Sequence, residues 1–418
     1  MAFLSICGGT RLHGEVVNSG AKNGALPILS ACVLVEGTCL IHNCPDIADV
    51  KTTLEILSCL GCRIQRQGTS VSVDAHAIHT GKVPGDLAGQ MRASILFLGA
   101  LYARLGQASI ARPGGCSLGA RPVDLHLQAL RGLGAAVEEE EATVSCCREG
   151  TDGGFVHFSY PSVGATENAV LAAVGCRHDS ILHGCAKEPE IVDLCCFLSA
   201  CGAEITGAGS ETIYIRGGRK LHPAEYTVLP DRMEAVSYLC AAAGCGGEVT
   251  IRNTDPSLYQ TECSILSLTG CEISKTEDSL TLMAPEQLRP IPLLVTGPYP
   301  HLSTDAQPPL MAALLRADGV SRFCETVFES RYSHVGQLQL LGADLACIGR
   351  YVRLRGGIPL HGAQLQAEDL RAAAALVIAA MTAEGESTLY GLHHLSRGYV
   401  NFPETLCALG AKIELKDQ

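Results

Sequence analysis

One glycine-rich stretch of the chain places a thiol between two guanidinium groups. It reads Arg112-Pro-Gly-Gly-Cys116-Ser-Leu-Gly-Ala-Arg121. Nearby cations lower the pKa of a thiol from about 8.5 and make it a better acid or nucleophile. A surface thiol on a loop without a catalytic role would show the same spacing. The spacing alone therefore leaves both interpretations of Cys116 open.

A lysine at the start of an apolar helix is a second candidate. The stretch Ser19-Gly-Ala-Lys22-Asn23 precedes this predicted helix, and Asn18 or Ser19 is expected to cap it. Unpaired N–H groups at a helix N-terminus next to a lysine form an anion site. The spacing is not that of a P-loop. By itself the pattern is a weak indication of phosphate binding.

Acidic residues and arginines recur at predicted helix starts and in the joining loops. Each one alone indicates a helix cap or a surface ion pair. As a set they gain weight, because they recur at equivalent ends of repeated segments. The set consists of Asp231, Arg232, Asp305, Glu329, Arg331, Glu368, Asp369, Arg371 and Arg397.

The elements that must position these side chains form an internal repeat. Six segments have a leucine, three further residues and a glycine at a predicted helix end, followed by a predicted strand. The glycines are Gly61, Gly134, Gly202, Gly270, Gly342 and Gly410, separated by 73, 68, 68, 72 and 68 residues. Glycine adopts the left-handed conformation of a helix C-cap without steric cost. A period near seventy is too long for a solenoid repeat and suits a small α/β unit that buries its faces against other copies.

Composition limits the class of protein. Hydrophobic residues make up 47% of the 418 residues and charged residues 18%, which predicts a globular chain. The N-terminus lacks the pattern of a signal peptide, and the longest apolar helix candidate, residues 372–381, is about half the roughly 20 residues of a bilayer crossing. A cytoplasmic protein is expected.

Charge and cysteine usage exclude several further classes. The formal net charge of −12 disfavours nucleic acid and anionic membrane as partners, so arginines must gather locally to bind small anions. The 21 cysteines are expected to be reduced, because disulfide scaffolds are usually short secreted chains. Cys59 and Cys62 have C-x-x-C spacing without a second Cys/His pair, which favours packing over metal binding.

Eight motifs follow one another along the whole chain and together resemble one enzyme family. That family is the enolpyruvyl transferases, and within it UDP-N-acetylglucosamine 1-carboxyvinyltransferase. The Cys116 motif separates it from the shikimate-pathway relative. The motifs are Ser19-Gly-Ala-Lys22-Asn23, Met91-Arg-Ala-Ser94, Pro113-Gly-Gly-Cys116, Gly119-Ala-Arg-Pro-Val-Asp-Leu-His126, Ser162-Val-Gly-Ala-Thr166, Glu188-Pro-Glu-Ile-Val-Asp193, Leu229-Pro-Asp-Arg232 and Glu325-Thr-Val-Phe-Glu329.

The resemblance implies a fold and a domain organisation. The expected fold is a two-domain inside-out α/β barrel of six βαβαββ-type units, three per domain, with helices inside and sheets outside. Residues 22–229 should form one lobe, which carries Cys116. Residues 1–21 and 230–418 should form the other, with Asp305, Arg331, Arg371 and Arg397. A two-stranded hinge should join the lobes, and the active site should lie in the cleft.

The resemblance also implies a reaction. In this family the sugar 3-hydroxyl of UDP-N-acetylglucosamine attacks C2 of phosphoenolpyruvate while C3 is protonated, and the tetrahedral ketal then loses phosphate after C3 is deprotonated. This is the first committed step of peptidoglycan precursor synthesis for the cell wall. No metal or organic cofactor is needed, and the two small-molecule substrates are the expected partners. Fixed guanidinium groups suit the carboxylate and phosphate beside a developing cation.

The family's site residues carry over to matching positions. Cys116 would protonate C3, Asp305 would take the sugar-hydroxyl proton and Asn23 would orient the sugar. Lys22, Arg121 and Arg397 would bind the phosphate, with Lys22 and Arg397 also catalytic, and Arg331 and Arg371 would bind the carboxylate. The expected uridine and diphosphate contacts are Arg121, Pro122, Val123, Asp124, Leu125, Ser162, Val163 and Gly164. Four further positions match site residues without a defined role: Arg92, Asp231, Val327 and Asp369.

Some positions depart from the family pattern and leave alternatives open. Tyr160 and Ala48 stand where some relatives carry basic residues, which puts individual nucleotide contacts in doubt. Pro308 and Pro309 put the start of the helix after Asp305 in question.

Two alternative functions are a shikimate-type transferase and a non-catalytic UDP-sugar-binding paralogue. Substrate competition tests the first, and nucleotide-sugar affinity without phosphate release would indicate the second.

Overall fold

The computed structural model describes residues 2–114, 122–150 and 152–417. The described chain forms two compact units. We call residues 20–114, 122–150 and 152–229 the N-terminal unit, and residues 2–19 with 230–417 the C-terminal unit. Cys116 and Arg121 lie outside the described residues.

Short strands and helices alternate along both units. The strands of the described residues are β1 (Phe3–Cys7), β2 (Leu12–Val17), β3 (Thr38–His42), β4 (Arg63–Gln67), β5 (Ser70–Asp74), β6 (Gln107–Ala111), β7 (Ala135–Glu139), β8 (Thr143–Arg148), β9 (Phe155–His157), β10 (Ser180–His183), β11 (Glu204–Thr206), β12 (Thr212–Arg216), β13 (Glu225–Thr227), β14 (Gly247–Arg252), β15 (Glu272–Lys275), β16 (Ser279–Met283), β17 (Leu294–Val295), β18 (Gly319–Cys324), β19 (Asp344–Ile348), β20 (Tyr351–Gly356), β21 (Gln364–Gln366), β22 (Glu386–Tyr390) and β23 (Lys412–Lys416). The α-helices are α1 (Lys22–Ala31), α2 (Ala48–Leu60), α3 (Gly85–Ala88), α4 (Leu96–Leu105), α5 (Asp124–Gly132), α6 (Val163–Val174), α7 (Pro189–Ala200), α8 (Arg232–Cys245), α9 (Gln260–Leu268), α10 (Gln307–Leu314), α11 (Ser333–Leu340), α12 (Leu370–Thr382) and α13 (Phe402–Ala408).

Each unit contains three small sheets with one recurring topology. In the N-terminal unit the strand orders are β13-β3-β5-β4, β6-β8-β7 and β11-β12-β10-β9. In the C-terminal unit they are β15-β16-β14-β2, β17-β18-β20-β19 and β21-β22-β1-β23. Every four-stranded sheet joins one parallel edge pair, such as β14 with β2, to antiparallel neighbours. In the three-stranded sheet, a parallel bridge between Lys82 and Ser109 stands in the place of the fourth strand.

The core of each unit consists of helices that the sheets cover. In the C-terminal unit α8, α10 and α12 pack against one another, and residues 371–381 of α12 are all buried. In the N-terminal unit α4 packs against α1 and α6. The strands turn alternate side chains inward, as in β20, where Val352 and Leu354 are buried between exposed neighbours. The predicted inside-out arrangement is confirmed.

The repeat read from the sequence corresponds to these six sheets. All six repeat glycines have positive φ values, between 89° and 107°. The helix predicted after Asp305 also forms, because Pro308 and Pro309 lie in the first turn of α10, where backbone N–H groups have no intrahelical partner.

Two further sequence expectations concern cysteines and membrane spans. The 20 cysteines among the described residues are free thiols. Within the same residues, the structure contains no helix of the length and apolar character that a membrane crossing requires.

Candidate active site

Asp305 is held between two buried arginines of the C-terminal unit. Its Oδ1 accepts a hydrogen bond from Arg331 Nη2 at 3.0 Å, and its Oδ2 accepts one from Arg371 Nε at 3.2 Å. The side chain of Asp305 is 28% exposed, whereas those of Arg331 and Arg371 are 1% and 4% exposed. In this cluster the carboxylate of Asp305 is therefore the accessible group, whereas the guanidinium groups of Arg331 and Arg371 are buried.

Asp369 contacts both arginines. It caps the start of α12, where Arg371 lies, and it also lies close to Arg331. Its side chain caps the helix by accepting hydrogen bonds from the backbone N–H groups of Arg371 and Ala372, at 2.8 and 2.9 Å. Arg331 Nη1 lies 3.6 Å from Asp369 Oδ1. Because buried guanidinium groups are costly without acidic partners, Asp369 stabilises the cluster as well as the helix.

Asp231 plays the equivalent capping part at the start of α8. It accepts hydrogen bonds from Met233 N at 2.8 Å and Glu234 N at 3.0 Å. Asp231 and Asp369 are therefore both helix caps, and their role in the site stays a prediction. Asp231 also acts electrostatically on Arg371.

One guanidinium nitrogen of Arg371 has no hydrogen-bond acceptor among the described residues. Burial lowers the pKa of the Arg371 guanidinium, but Tyr399, Asp305 and Asp231 together raise it above the usual value, so the group stays protonated. Its Cζ lies 5.2 Å from the centroid of the Tyr399 ring. Its Nη1 is buried and makes no hydrogen bond to the described residues. Such an atom is costly unless a ligand or water accepts from it.

His334 is a second buried group without hydrogen bonds in the described residues, at either ring nitrogen. Burial, reinforced by Arg331 and opposed by Asp369, lowers its pKa to about 4. The imidazole is therefore neutral at pH 7 and adds no charge beside Arg331. No sequence motif pointed to His334, apart from its nearness to Arg331.

Arg397 and Val327 lie on loops of the same unit. Arg397 ends the 3₁₀ turn Leu392–Arg397 and is half-buried. Burial lowers the pKa of His394, His393 and Arg397 lower it further, and Asp369 opposes them. Arg397 and Asp369 therefore both lie within electrostatic range of one imidazole. Val327 follows β18, and its backbone N–H donates to Glu325 Oε1 at 2.7 Å.

Lys22 lies in the first turn of α1 in the N-terminal unit and is paired. Its Nζ lies 2.7 Å from Asp49 Oδ2, with side-chain exposures of 12% and 7%. The sequence did not single out Asp49, although an acidic residue in the first turn of α2 was the available signal. Asn23, beside Lys22, is exposed.

The expected cap of α1 is wrong. The N-cap is Ala21, and no side chain caps this helix. Asn18 Nδ2 instead donates to the backbone oxygen of Asp231 at 3.0 Å, and Ser19 donates from its backbone N and its Oγ to Glu234. Both side chains serve the C-terminal unit because β2 pairs there with β14.

The expected nucleotide contacts of the N-terminal unit gather at two helix starts. Asp124 begins α5, and Ser162 caps α6 by accepting from Ala165 N at 3.4 Å. A Cβ placed on Gly164 would lie 3.3 Å from His126 Cε1, so the two helix starts adjoin. The other members of this group are Pro122, whose oxygen accepts from Arg92 Nη2 at 2.7 Å, and Val123, Leu125 and Val163. Two N-terminal helix ends side by side suit a diphosphate.

Glu234, in the C-terminal unit, gives the stability of the protein a testable pH dependence. Burial and repulsion from Asp231 raise its pKa to about 7, against hydrogen bonds from Ser19 and the charge of Arg371 that lower it. A folded-state pKa above the unfolded value of 4.5 means that its stabilising effect is complete below about pH 4.5 and is lost as pH rises through 7. The loss amounts to roughly 3 kcal/mol.

The measurement is urea unfolding of the wild type and Glu234→Gln at pH 5 and pH 8. We expect the free energy of unfolding of the wild type, relative to the variant, to fall by about 2 kcal/mol over this range, because part of the loss has already occurred at pH 5. Other titrating groups are common to both proteins and cancel. A difference between the two proteins that does not change with pH would contradict the assignment.

The described residues contain no group of three or more His, Cys, Asp or Glu side chains that could hold a metal ion. Many of the predicted site residues fall into two groups, one around Asp305 and one at the starts of α5 and α6. Lys22 with Asn23, Val327 and Arg397 lie at three other positions of the described chain. Asp231, Asp305, Arg331, Asp369 and Arg371 come together in the C-terminal unit.

Comparison with known proteins defines the class. A family model described as EPSP synthase (3-phosphoshikimate 1-carboxyvinyltransferase) matches residues 6–406. The chain belongs to this family of enolpyruvyl transferases. A solved enolpyruvyl transferase, NikO from Streptomyces tendae, is 28% identical, with a TM-score of 0.90 over 99% of this chain and 98% of its own. EPSP synthase from Acinetobacter baumannii, 18% identical with a TM-score of 0.77 over the full length of both chains, shares the fold.

Two relatives show which enolpyruvyl transferases the chain is similar to over its whole length. UDP-N-acetylglucosamine 1-carboxyvinyltransferase 2 of Caldanaerobacter subterraneus subsp. tengcongensis is 42% identical, over 99% of both chains. UDP-N-acetylglucosamine 1-carboxyvinyltransferase of Dichelobacter nodosus is 43% identical, also over 99% of both. The resemblance read from the eight motifs is confirmed.

Proposed function

We propose that this chain transfers the enolpyruvyl group of phosphoenolpyruvate to the 3-hydroxyl of UDP-N-acetylglucosamine and releases phosphate. This would make it the enzyme of the first committed step of peptidoglycan precursor synthesis, acting in the cytoplasm. Support comes from the full-length similarity to enzymes of that name, at 42–43% identity. In the structure the main support is Asp305, an accessible carboxylate fixed by two buried arginines.

The arrangement suits a reaction in which a sugar hydroxyl becomes the nucleophile. In our proposal Asp305 accepts the hydroxyl proton, since it is the accessible acid of the cluster. Arg331 and Arg371 bind the carboxylate of phosphoenolpyruvate, and the buried Nη1 of Arg371 has no protein acceptor among the described residues. Because both guanidinium groups are already oriented by Asp305 and Asp369, little reorganisation is needed when the anion binds.

The remaining roles complete the proposal. Lys22, Arg121 and Arg397 bind the phosphate, and Cys116 protonates C3 of phosphoenolpyruvate. Asn23 orients the sugar. The adjoining starts of α5 and α6, with Arg92, bind the uridine diphosphate, and Val327 contacts the nucleotide from its loop. We assign residues 22–229 to the lobe that carries Cys116, and residues 1–21 with 230–418 to the other lobe.

A coupled phosphate assay tests the proposal. Phosphate should appear from phosphoenolpyruvate only when UDP-N-acetylglucosamine is present. The family model's description favours one competing substrate, 3-phosphoshikimate. Turnover with 3-phosphoshikimate and not with the nucleotide sugar would replace the proposal by a shikimate-type activity. Nucleotide-sugar binding by calorimetry without phosphate release would indicate a binding protein.

A further inference from the structure

The carboxylate of Glu325 joins two segments of the C-terminal unit that carry site residues. Glu325 directly follows β18 and is 1% exposed. Its Oε2 accepts a hydrogen bond from Thr304 Oγ1 at 2.9 Å. Its Oε1 accepts hydrogen bonds from the backbone N–H groups of Val327 at 2.7 Å and Phe328 at 3.1 Å. One buried side chain therefore fixes both segments at once.

The first of these segments carries Asp305. Thr304 immediately precedes it, and the backbone oxygen of Thr304 accepts from Arg331 Nε at 3.0 Å. Ser303 Oγ accepts from Asp305 N at 3.2 Å. The Thr304 hydroxyl is therefore the contact through which Glu325 acts on the segment of the proposed base.

The second segment carries Val327 and is itself braced. The backbone N–H of Glu325 donates to the oxygen of Arg350 at 2.9 Å, and Arg350 Nη1 donates to the oxygen of Thr326 at 2.9 Å. Thr326 N donates to Thr296 Oγ1 at 3.0 Å. Because Glu325 is held on its own backbone, its carboxylate is a rigid reference point for both segments.

The residue type matters at this position. A carboxylate offers two oxygens that both accept, and hydrogen bonds to a charged acceptor are about twice as strong as neutral ones. Glutamine offers only one accepting oxygen, and its amide nitrogen can meet the Thr304 hydroxyl only as a donor, so the variant loses one charged acceptor for these two segments. The geometry thus uses a property that glutamate alone among residues of this size and length supplies.

We propose that Glu325 is a positioning residue. It holds the segment of Asp305 at a fixed distance from the Val327 loop, so that the proposed base and the nucleotide-binding loop keep their relative positions. This inference rests on the proposed function and extends it. It predicts that loss of the carboxylate impairs both catalysis and nucleotide-sugar binding, whereas loss of the Thr304 hydroxyl impairs catalysis alone.

The experiment compares kcat and the KM for UDP-N-acetylglucosamine in Thr304→Val, Glu325→Gln and the double variant. Thr304→Val, which keeps the shape of the side chain, should lower kcat by about 10–100-fold, the range caused by a misplacement of about 1 Å, and leave KM nearly unchanged. Glu325→Gln should lower kcat by a similar factor and also raise KM. The double variant should match Glu325→Gln in kcat, because both changes remove the hydrogen bond that the Thr304 hydroxyl donates to a charged acceptor.

Glu277→Gln is the matched control, since Glu277 is an exposed glutamate of the same unit, between β15 and β16, and should behave as the wild type. Multiplicative kcat effects in the double variant, or losses in melting temperature without a change in kcat or KM, would overturn the inference and leave Glu325 a structural residue. A wild type that releases no phosphate contradicts the proposed function itself. A wild type that turns over while the variants keep its kcat and KM contradicts only the positioning role.

Discussion

Cys116→Ala is expected to lower the rate of phosphate release by about 10²–10⁴-fold, the contribution of a positioned general acid. The proposed step needs a proton on C3 of phosphoenolpyruvate as the sugar oxygen attacks C2. A thiol between Arg112 and Arg121 is suited to ionise and to be reprotonated during turnover. The measurement is kcat in the coupled phosphate assay at saturating concentrations of both substrates.

Two comparisons make the Cys116 result specific. Cys59→Ala removes an exposed thiol from α2 and should leave kcat unchanged. Intact-mass measurement after incubation with fosfomycin, an epoxide that alkylates this family's cysteine, should show one adduct on the wild type and none on Cys116→Ala. Undiminished turnover in Cys116→Ala would remove the thiol from the mechanism.

Asp305→Asn is expected to cause the second large loss, again about 10²–10⁴-fold in kcat. The amide cannot take the sugar-hydroxyl proton. It also removes the charge that Arg331 and Arg371 share, at 3.0 and 3.2 Å. Because both guanidinium groups are nearly fully buried, the variant should also lose stability, by about 3–5 kcal/mol, the usual effect of breaking a buried ion pair.

The two effects of Asp305→Asn can be separated. Thermal unfolding reports the loss of the ion pairs, whereas the assay below the melting temperature of the variant reports the loss of the base. Asp318→Asn, a change at an exposed aspartate of the same unit, should alter neither. A folded Asp305→Asn protein with near-normal kcat would assign the base to another group.

The fold was largely predictable because local sequence features, such as the glycines at helix ends, mark each copy of its repeat. Gly61 and Gly410, at the two ends of the repeat series, both have φ of 107°, as a left-handed helix end requires. Which strands pair was not predictable from these signals. β1 lies between β22 and β23, about four hundred residues away, and only tertiary folding brings these strands together.

The site was predictable to the extent that family motifs mark it. Asp305, Arg331 and Arg371 were expected as a group, and the structure brings them into contact. The partners were not predictable, because Asp49 beside Lys22 and Glu325 beside Thr304 meet only through tertiary packing. The expected cap of α1 does not form for the same reason, because Ser19 instead donates hydrogen bonds to the carboxylate of Glu234, which is distant in sequence.

The most direct test of the proposed function is mass spectrometry of the nucleotide sugar after incubation with the purified chain and phosphoenolpyruvate. We expect UDP-N-acetylglucosamine to gain one enolpyruvyl group in place of the hydrogen of its 3-hydroxyl, with one phosphate released for each product. Recovery of the nucleotide sugar with its mass unchanged, by a folded chain that binds both substrates, would contradict it.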